Sequence, residues 1–215
     1  MTIVTIAHKK NITLIVYCIC FFAIWTVFEL FVKDSINSQL IKSGVIKTAV
    51  WTLPAMLLIH SFHENVQIGL KEMFITKVKL WRYLWIYVLL AVWVLSGGLL
   101  RPDGLSFSIE PNALIIVLFV GITEEMVFRG WLLNAMVEDI PVWLAIAINA
   151  ALFLLIHFPR WIQEGILLST FTSFEFISIV ALSVIFSLSF LRSKNILIPI
   201  SMHMLYDLMI FVFLA

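Results

Sequence analysis

Long apolar runs, each about as long as a bilayer core is thick, are the feature that most limits what this chain can fold into. Seven such runs follow one another, at residues 12–32, 45–62, 83–100, 111–137, 142–158, 174–191 and 196–214. Because a backbone in lipid must satisfy its own hydrogen bonds, each run is expected to form a helix. The sequence therefore predicts an all-α fold, a polytopic transmembrane helix bundle of about seven spans.

Composition and charge narrow the class of protein further. Of the 215 residues, 62% are hydrophobic and 13% are charged, which is far more apolar than a soluble domain. The formal net charge of +1 provides no basic surface for nucleic acid, so the lipid bilayer is a predicted partner and nucleic acid is not. Cys18 and Cys20 point away from each other at helical spacing, which disfavours a disulfide between them.

The chain is expected to form a single structural unit with two parts. Residues 1–110 contain three spans and a polar connection at 63–82, whose mixture of basic and apolar residues is typical of a helix lying flat at the membrane surface. Residues 111–215 contain four spans and form the expected functional core. Eight lysines and arginines lie in loops on the side of the N-terminus and five on the other side, which favours a cytoplasmic N-terminus.

Ionisable side chains inside the fourth span indicate a functional site. A charge near the middle of a bilayer costs at least about 2.5–3.5 kcal/mol, so such residues are rare. Glu125 and Arg129 stand four residues apart on one helix face and can form an ion pair. Glu124 projects about 100° away from Glu125 and can face a cavity. A purely structural cluster of these three charges is the alternative interpretation.

The fifth and seventh spans carry the remaining groups. His157 lies near the end of the fifth span, and His203 and Asp207 stand four residues apart on one face of the last. Counted at 1.5 Å per residue from the turn at 138–141, Glu124 and His157 lie at about the same depth. Taken singly, His157 could be an interfacial anchor and the other pair a local hydrogen bond. One polar cavity lined by all four residues explains them together.

Such a cavity is suited to hydrolysis. A glutamate beside a histidine can take a proton from water, and an imidazole N–H can stabilise a developing oxyanion. Neither a G-x-S-x-G motif nor an H-E-x-x-H motif occurs in the sequence. Two histidines with carboxylates are a set that zinc can use, so a zinc peptidase is an alternative. A proton-coupled transporter also uses such groups, but its two halves should repeat each other, and here the polar groups lie in the second half.

Three motifs occur in order on three apolar helices, namely Glu124-Glu125-x-x-x-Arg129, Phe153-x-x-x-His157 and His203-x-x-x-Asp207. Together they resemble the CPBP family, which comprises type II CAAX prenyl endopeptidases and bacteriocin-processing or Abi-type membrane proteins. The resemblance covers roughly residues 111–212, and so identifies 111–215 as the expected catalytic core.

The resemblance implies an intramembrane glutamic endopeptidase that uses no metal and no other cofactor. It implies that Glu124 is the general base and that His157 assists it. His203 and the residue at position 207 would form the oxyanion hole. Glu125 and Arg129 would be supporting residues that order the helix and the cavity.

Position 207 departs from the commonest family pattern, which has Asn there. An ionised Asp207 cannot donate to an oxyanion, so it is expected either to be protonated or to orient His203. The implied partner is a membrane-anchored peptide or protein substrate, either a prenylated C-terminal tail or a leader or signalling peptide. The short chain favours a compact member in a bacterial cell membrane. A membrane immunity or regulatory protein that binds in the same cavity without turnover is the remaining alternative.

Overall fold

The described residues of the computed structural model, 3–102, 104–108, 110–173 and 175–214, form helices joined by turns and loops, with no strand among them. The predicted all-α class is confirmed. The α-helices are α1 (Ile3–Val27), α2 (Leu53–Ser61), α3 (Glu72–Ile75), α4 (Leu84–Leu99), α5 (Pro111–Glu125), α6 (Asn134–Met136), α7 (Val142–Leu155), α8 (Phe158–Gln163), α9 (Leu167–Thr172), α10 (Glu175–Ser193) and α11 (Leu197–Phe213). Helical segments of π type lie at Phe28–Val32, Leu40–Ile46, Thr48–Thr52 and Met126–Leu133, and 3-10 turns lie at Lys33–Ser35 and Leu80–Arg82.

Within the described part of the chain, four helical stretches are long and apolar enough to cross a membrane. They are His8–Ser35, Leu40–Ser61, Val142–Gln163 and Glu175–Ser193. The helices α4 and α11 are apolar but shorter, and α5 continues without a break into α6. The protein is an integral membrane protein with helices in the predicted runs, and the number of seven spans stays a prediction.

Two apolar cores hold the helices together. In the larger core, the ring of Trp51 is 4.7 Å from those of Phe21 and Trp25, which joins α1 to the helix leading into α2. In the smaller core, Phe186 and Met202 join α10 to α11 and α4. Burial of these large side chains between helices leaves the remaining apolar surface to face lipid.

The flat helix predicted for residues 63–82 is wrong. This connection contains only the short turns α3 and Leu80–Arg82, and its residues Val66, Ile68 and Met73 are buried in the larger core. A side chain from a distant helix satisfies the backbone here: the Asn134 amide donates to the Ile68 carbonyl at 2.7 Å and accepts from the Ile68 N–H at 2.9 Å. Because these bonds replace helical ones, the segment packs inward without forming a helix.

A close approach of α5 to α11 sets the position of the polar residues. A Cβ atom on Gly121 would lie 2.7 Å from Cγ of Met204, so any side chain there would displace Met204. Glu124 and Glu125 follow Gly121 by about one helical turn, and His203 directly precedes Met204. The absence of a side chain at Gly121 therefore allows both glutamates to lie beside His203.

Lys10 ties the first helix to the rest of the bundle. Its buried ammonium donates to the carbonyl oxygens of Asn65 and Ala135, each at 3.0 Å, and lies 2.8 Å from Oδ2 of Asp139. Lys10→Met keeps the apolar stem but removes the donor from all three acceptors. We expect the free energy of unfolding to fall by about 2–3 kcal/mol, as for the loss of hydrogen bonds to a charged group. Reversible unfolding in mixed detergent micelles measures this change.

Lys9→Met is the matched control for this prediction. Lys9 is exposed and makes no ion pair with a described residue. We expect its replacement to leave the unfolding free energy close to that of the wild type. Equal destabilisation by the two substitutions would contradict a specific role for Lys10.

Candidate active site

One cavity of about 370 Å³ inside the bundle is lined by Glu124, His157, His203 and Asp207. Glu124 lies near the end of α5, His157 lies in the turn between α7 and α8, and the other two lie on α11. The structure therefore brings together the four residues that the sequence places on three separate helices. Their catalytic roles stay predictions.

Glu125 and Arg129 lie behind the wall of this cavity, and both are fully buried. Nη1 of Arg129 donates to Oε1 of Glu125 at 3.0 Å, as the spacing of four residues predicts. Nη2 of Arg129 donates to the hydroxyl of Ser183 at 2.8 Å and to its carbonyl oxygen at 3.1 Å. Nδ1 of His203 donates to the same Oε1 of Glu125 at 2.8 Å. Charge-assisted hydrogen bonds thus link α10 and α5 to His203 and hold its ring in place.

Phe153 connects two of the sequence motifs. Its ring lies under the Arg129 guanidinium, with Cζ 4.5 Å from the ring centre, so it covers the buried ion pair. Its carbonyl oxygen accepts a hydrogen bond from Nδ1 of His157 at 2.7 Å. Since a carbonyl oxygen only accepts, Nδ1 carries the hydrogen, and Nε2 of a neutral His157 has the free lone pair.

His203 lies between two carboxylates. Nδ1 donates to Glu125, and Nε2 is 3.5 Å from Oδ2 of Asp207. The ring is stacked on Phe186, with the ring centres 5.1 Å apart. Because Nδ1 already carries a hydrogen, an N–H on Nε2 requires the imidazolium form. In that form His203 can donate toward the cavity or to Asp207.

Lys47 is a member of this site that the sequence interpretation missed. It stands at the start of the predicted run 45–62 and is one of the five basic residues assigned above to loops on the side opposite the N-terminus, whereas in the structure it lies inside a helix that begins at Leu40. Its Nζ is 3.0 Å from Oε1 of Glu124, and it lies over the rings of Trp51 and Trp25 at 4.6 and 5.2 Å. The sequence signal for this position is a lysine four residues before a tryptophan in an apolar helix, which places both on one face.

A second cavity of about 170 Å³ adjoins the first and shares Lys47 and Arg160 with it. Its other walls include Lys33 and Lys42, and Glu29 pairs with Lys33 at 2.8 Å. The charged side chains that line this cavity are therefore mostly basic, beside apolar walls that include Phe28 and Ile116.

The arrangement of the side chains that could bind a metal ion bears on whether this site uses one. Among the described residues, no three His, Cys, Asp or Glu side chains are arranged to bind a metal ion. In the cavity, Oε1 of Glu124 is paired with Lys47 instead. Independence from metal stays a prediction, which chelation tests directly.

The comparisons with known proteins bear on this half of the chain. Residues 107–209 match the family model described as type II CAAX prenyl endopeptidase Rce1-like, and this range contains all of the predicted site residues but not Lys47. Neither a curated protein nor a solved structure matches the chain. The resemblance drawn from the three motifs is confirmed over residues 107–209, just under half of the chain, which are similar to type II CAAX prenyl endopeptidases of the Rce1-like family.

Proposed function

We propose that this protein is an intramembrane endopeptidase of the glutamic type. It hydrolyses a peptide bond in a membrane-associated peptide or in the C-terminal tail of a membrane-associated protein. The observation that carries this proposal is the cavity in which Glu124, His157 and His203 meet from three different helices. The match of residues 107–209 to a family of endopeptidases supports the same class of reaction.

Glu124 and His157 activate water in the proposed mechanism. Glu124 takes a proton from a water molecule, whose oxygen forms a bond to the carbonyl carbon of the scissile peptide. His157 assists through Nε2, which is free to accept because Nδ1 is held by Phe153. The C–N bond then breaks, and the proton on Glu124 passes to the leaving nitrogen. The products are a carboxylic acid and an amine.

His203 and Lys47 stabilise the oxyanion that forms on the substrate carbonyl. His203 donates from Nε2 as an imidazolium, and its ring is oriented by Glu125 and Asp207. Asp207 lies 3.5 Å from the same Nε2 and stabilises the imidazolium through its negative charge while that N–H points to the oxyanion. Lys47 has three N–H groups, of which one donates to Glu124. The others are available to the carbonyl oxygen, where a preorganised cation is most effective in a water-poor site.

The substrate in this proposal is anchored in the membrane. The proposed site lies within a bundle of membrane helices, so a segment tethered to the bilayer reaches it more readily than a free soluble peptide. Prenylated C-terminal tails and leader or signalling peptides both meet this requirement.

Cleavage by the purified protein in liposomes, followed by mass spectrometry, tests this function. The substrates are membrane-anchored peptides in prenylated and unprenylated versions, each assayed with and without a chelator. Cleavage that continues in chelator supports the glutamic mechanism. Cleavage that stops in chelator and returns with zinc would identify a zinc peptidase. A protein that cuts no peptide, and whose Glu124→Ala variant keeps its effect in cells, would be a binding protein.

Lys47→Met should lower kcat by about 10²–10³-fold with little change in KM, because loss of one oxyanion donor typically has this effect. Methionine keeps an unbranched apolar stem that can still contact Trp25 and Trp51. Lys47→Arg should recover part of the rate, since the guanidinium restores the charge. Steady-state cleavage kinetics in liposomes measure both variants.

Lys42→Met is the matched control for Lys47→Met. Lys42 lines the adjoining cavity and makes no ion pair with a described residue. We expect its kcat to stay close to that of the wild type. A raised KM with unchanged kcat in Lys47→Met would make Lys47 a substrate-binding residue and contradict its role at the oxyanion.

A further inference from the structure

A third cavity, of about 310 Å³, lies where α4 begins and α10 ends, away from the proposed active site. Its walls include Arg82 and Arg192 together with Trp81, Tyr83 and Trp85. Neither arginine has an ion-pair partner among the described residues, and the Arg82 guanidinium lies 5.8 Å from the centre of the Trp81 ring. Two unpaired guanidinium groups in one cavity are suited to an anion that both can contact.

An apolar groove of about 150 Å³ continues from this cavity between α4 and α10. It shares Trp85 and Arg192 with the cavity, and Leu89, Ile185 and Leu188 line the rest of it. One end of the combined space is therefore charged, and the rest is apolar. This distribution matches a molecule with an anionic head and a hydrocarbon chain.

Ser189 lies at the boundary between the charged and the apolar end. Its side chain is 2% exposed, it lines the groove, and its hydroxyl has no hydrogen-bond partner among the described residues. Most buried polar atoms have a partner, and a ligand atom in the groove would provide the one that this hydroxyl lacks. Ser189 lies three residues before Arg192, about 4.5 Å deeper along the helix. In a glycerophospholipid the ester carbonyl oxygens follow the phosphate at a comparable distance and accept hydrogen bonds.

The ends of the two helices are joined at this side of the bundle. Nδ2 of Asn195 donates to the Thr76 carbonyl at 2.7 Å, and the Ile196 N–H donates to the Met73 carbonyl at 2.8 Å. The same connections carry further basic residues, Lys71, Lys77, Lys79 and Lys194. The predicted topology places this side in the cytoplasm, where the leaflet is rich in anionic lipid, and Trp and Tyr are the residues that favour the interface.

We propose that the cavity and groove between α4 and α10 bind one anionic glycerophospholipid. Its phosphate contacts Arg82 and Arg192, an ester carbonyl accepts a hydrogen bond from Ser189, and one acyl chain lies along Leu89 and Leu188. The site is separate from the cavity that contains Glu124 and does not depend on the proposed peptidase function.

Native mass spectrometry of the purified full-length protein tests this site. Detergent micelles are supplemented with phosphatidylglycerol or with phosphatidylcholine of the same acyl chains. We expect one phosphatidylglycerol to stay bound to the wild type and phosphatidylcholine to be lost. The double variant Arg82→Gln, Arg192→Gln should bind phosphatidylglycerol about thirtyfold more weakly, at about fivefold for each cation. The control variant Lys71→Gln, Lys79→Gln removes the same charge at the same side outside the cavity and should bind normally.

A second pair of variants tests the groove while both arginines are kept. Leu89→Trp fills the groove, whereas Val88→Trp places the same ring on an adjacent exposed position that does not line it. We expect only Leu89→Trp to lose phosphatidylglycerol. Equal retention of the two lipids, unchanged binding by the double arginine variant, or equal loss in the lysine control would overturn the proposal. Displacement of the lipid by an equal concentration of glycerol phosphate would identify a soluble-anion site and overturn it as well.

Discussion

Glu124→Gln should lower the rate of peptide hydrolysis by about 10²–10⁴-fold, the usual contribution of a general base. The amide of glutamine has nearly the same shape as the carboxylate but cannot take a proton from water. Its carbonyl oxygen can still accept the hydrogen bond from Lys47, which spans 3.0 Å in the wild type. The fold is therefore expected to persist. Initial rates in liposomes, compared with the thermal unfolding midpoint in detergent, separate lost chemistry from lost structure.

Glu64→Gln is the matched control for the loss of one carboxylate. Glu64 is 76% exposed and lies outside the cavity, so its replacement should leave the rate unchanged. A Glu124→Gln protein that still cleaved at about a tenth of the wild-type rate would show that another group is the base. A large drop in its unfolding midpoint would instead assign Glu124 to the structure, together with its partner Lys47.

Arg129→Met should lower the free energy of unfolding by about 3–5 kcal/mol, as expected when one member of a buried ion pair is removed. Methionine leaves the fully buried Glu125 without the guanidinium that donates to it at 3.0 Å. It also leaves the hydroxyl and the carbonyl oxygen of Ser183 without their donor. Water does not replace these bonds readily, because neither Arg129 nor Glu125 is exposed. Reversible unfolding in mixed micelles measures the loss.

Two further variants test whether the lower free energy of unfolding of Arg129→Met comes from breaking the buried ion pair. Arg101→Met removes an exposed arginine whose guanidinium contacts the Leu214 carbonyl oxygen, so only a small effect is expected. The double variant Glu125→Met, Arg129→Met removes both buried charges and should recover part of the stability, since apolar residues often replace a buried pair without large cost. It should stay inactive, because His203 then lacks the carboxylate that holds Nδ1. Unfolding of Arg129→Met at the same midpoint as Arg101→Met would contradict the proposed structural role.

Local periodicity explains which features of the site could be predicted. The pair Glu125–Arg129 follows from the geometry of a single helix, where residues four apart are neighbours. The convergence of Glu124 and His157 follows from counting helical rise on both sides of one turn. Such inferences need only the chain near each residue. They succeed because a membrane span must stay helical to satisfy its own backbone hydrogen bonds.

Contacts between distant parts of the chain were not predictable in this way. Lys47 meets Glu124 across 77 positions, and Asn134 meets Ile68 across 66. The pattern in 63–82 is compatible with a surface helix and equally with a loop whose apolar residues face the core. The hydrogen bonds from Asn134 decide between them, and no feature of the segment itself reveals that partner. In the same way, the helix begins at Leu40, about one and a half turns before the predicted run at 45–62, and this difference decides whether Lys47 is a loop charge or part of a site.

The pairing of Lys47 with Glu124 also imposes an order on biosynthesis. The lysine is synthesised 77 residues before its carboxylate, and at 5–20 residues per second this delay is about 4–15 s. During that interval the second helix carries a cation that has no counterion and is costly to leave in hydrocarbon. Lys10 stays without its partners for longer, because Asp139 and the Ala135 carbonyl are synthesised after Glu124. Both cations in the N-terminal helices are therefore neutralised only once the chain from Pro111 to Asp139 has been made, and the cavity is completed later still, when His157 and α11 follow.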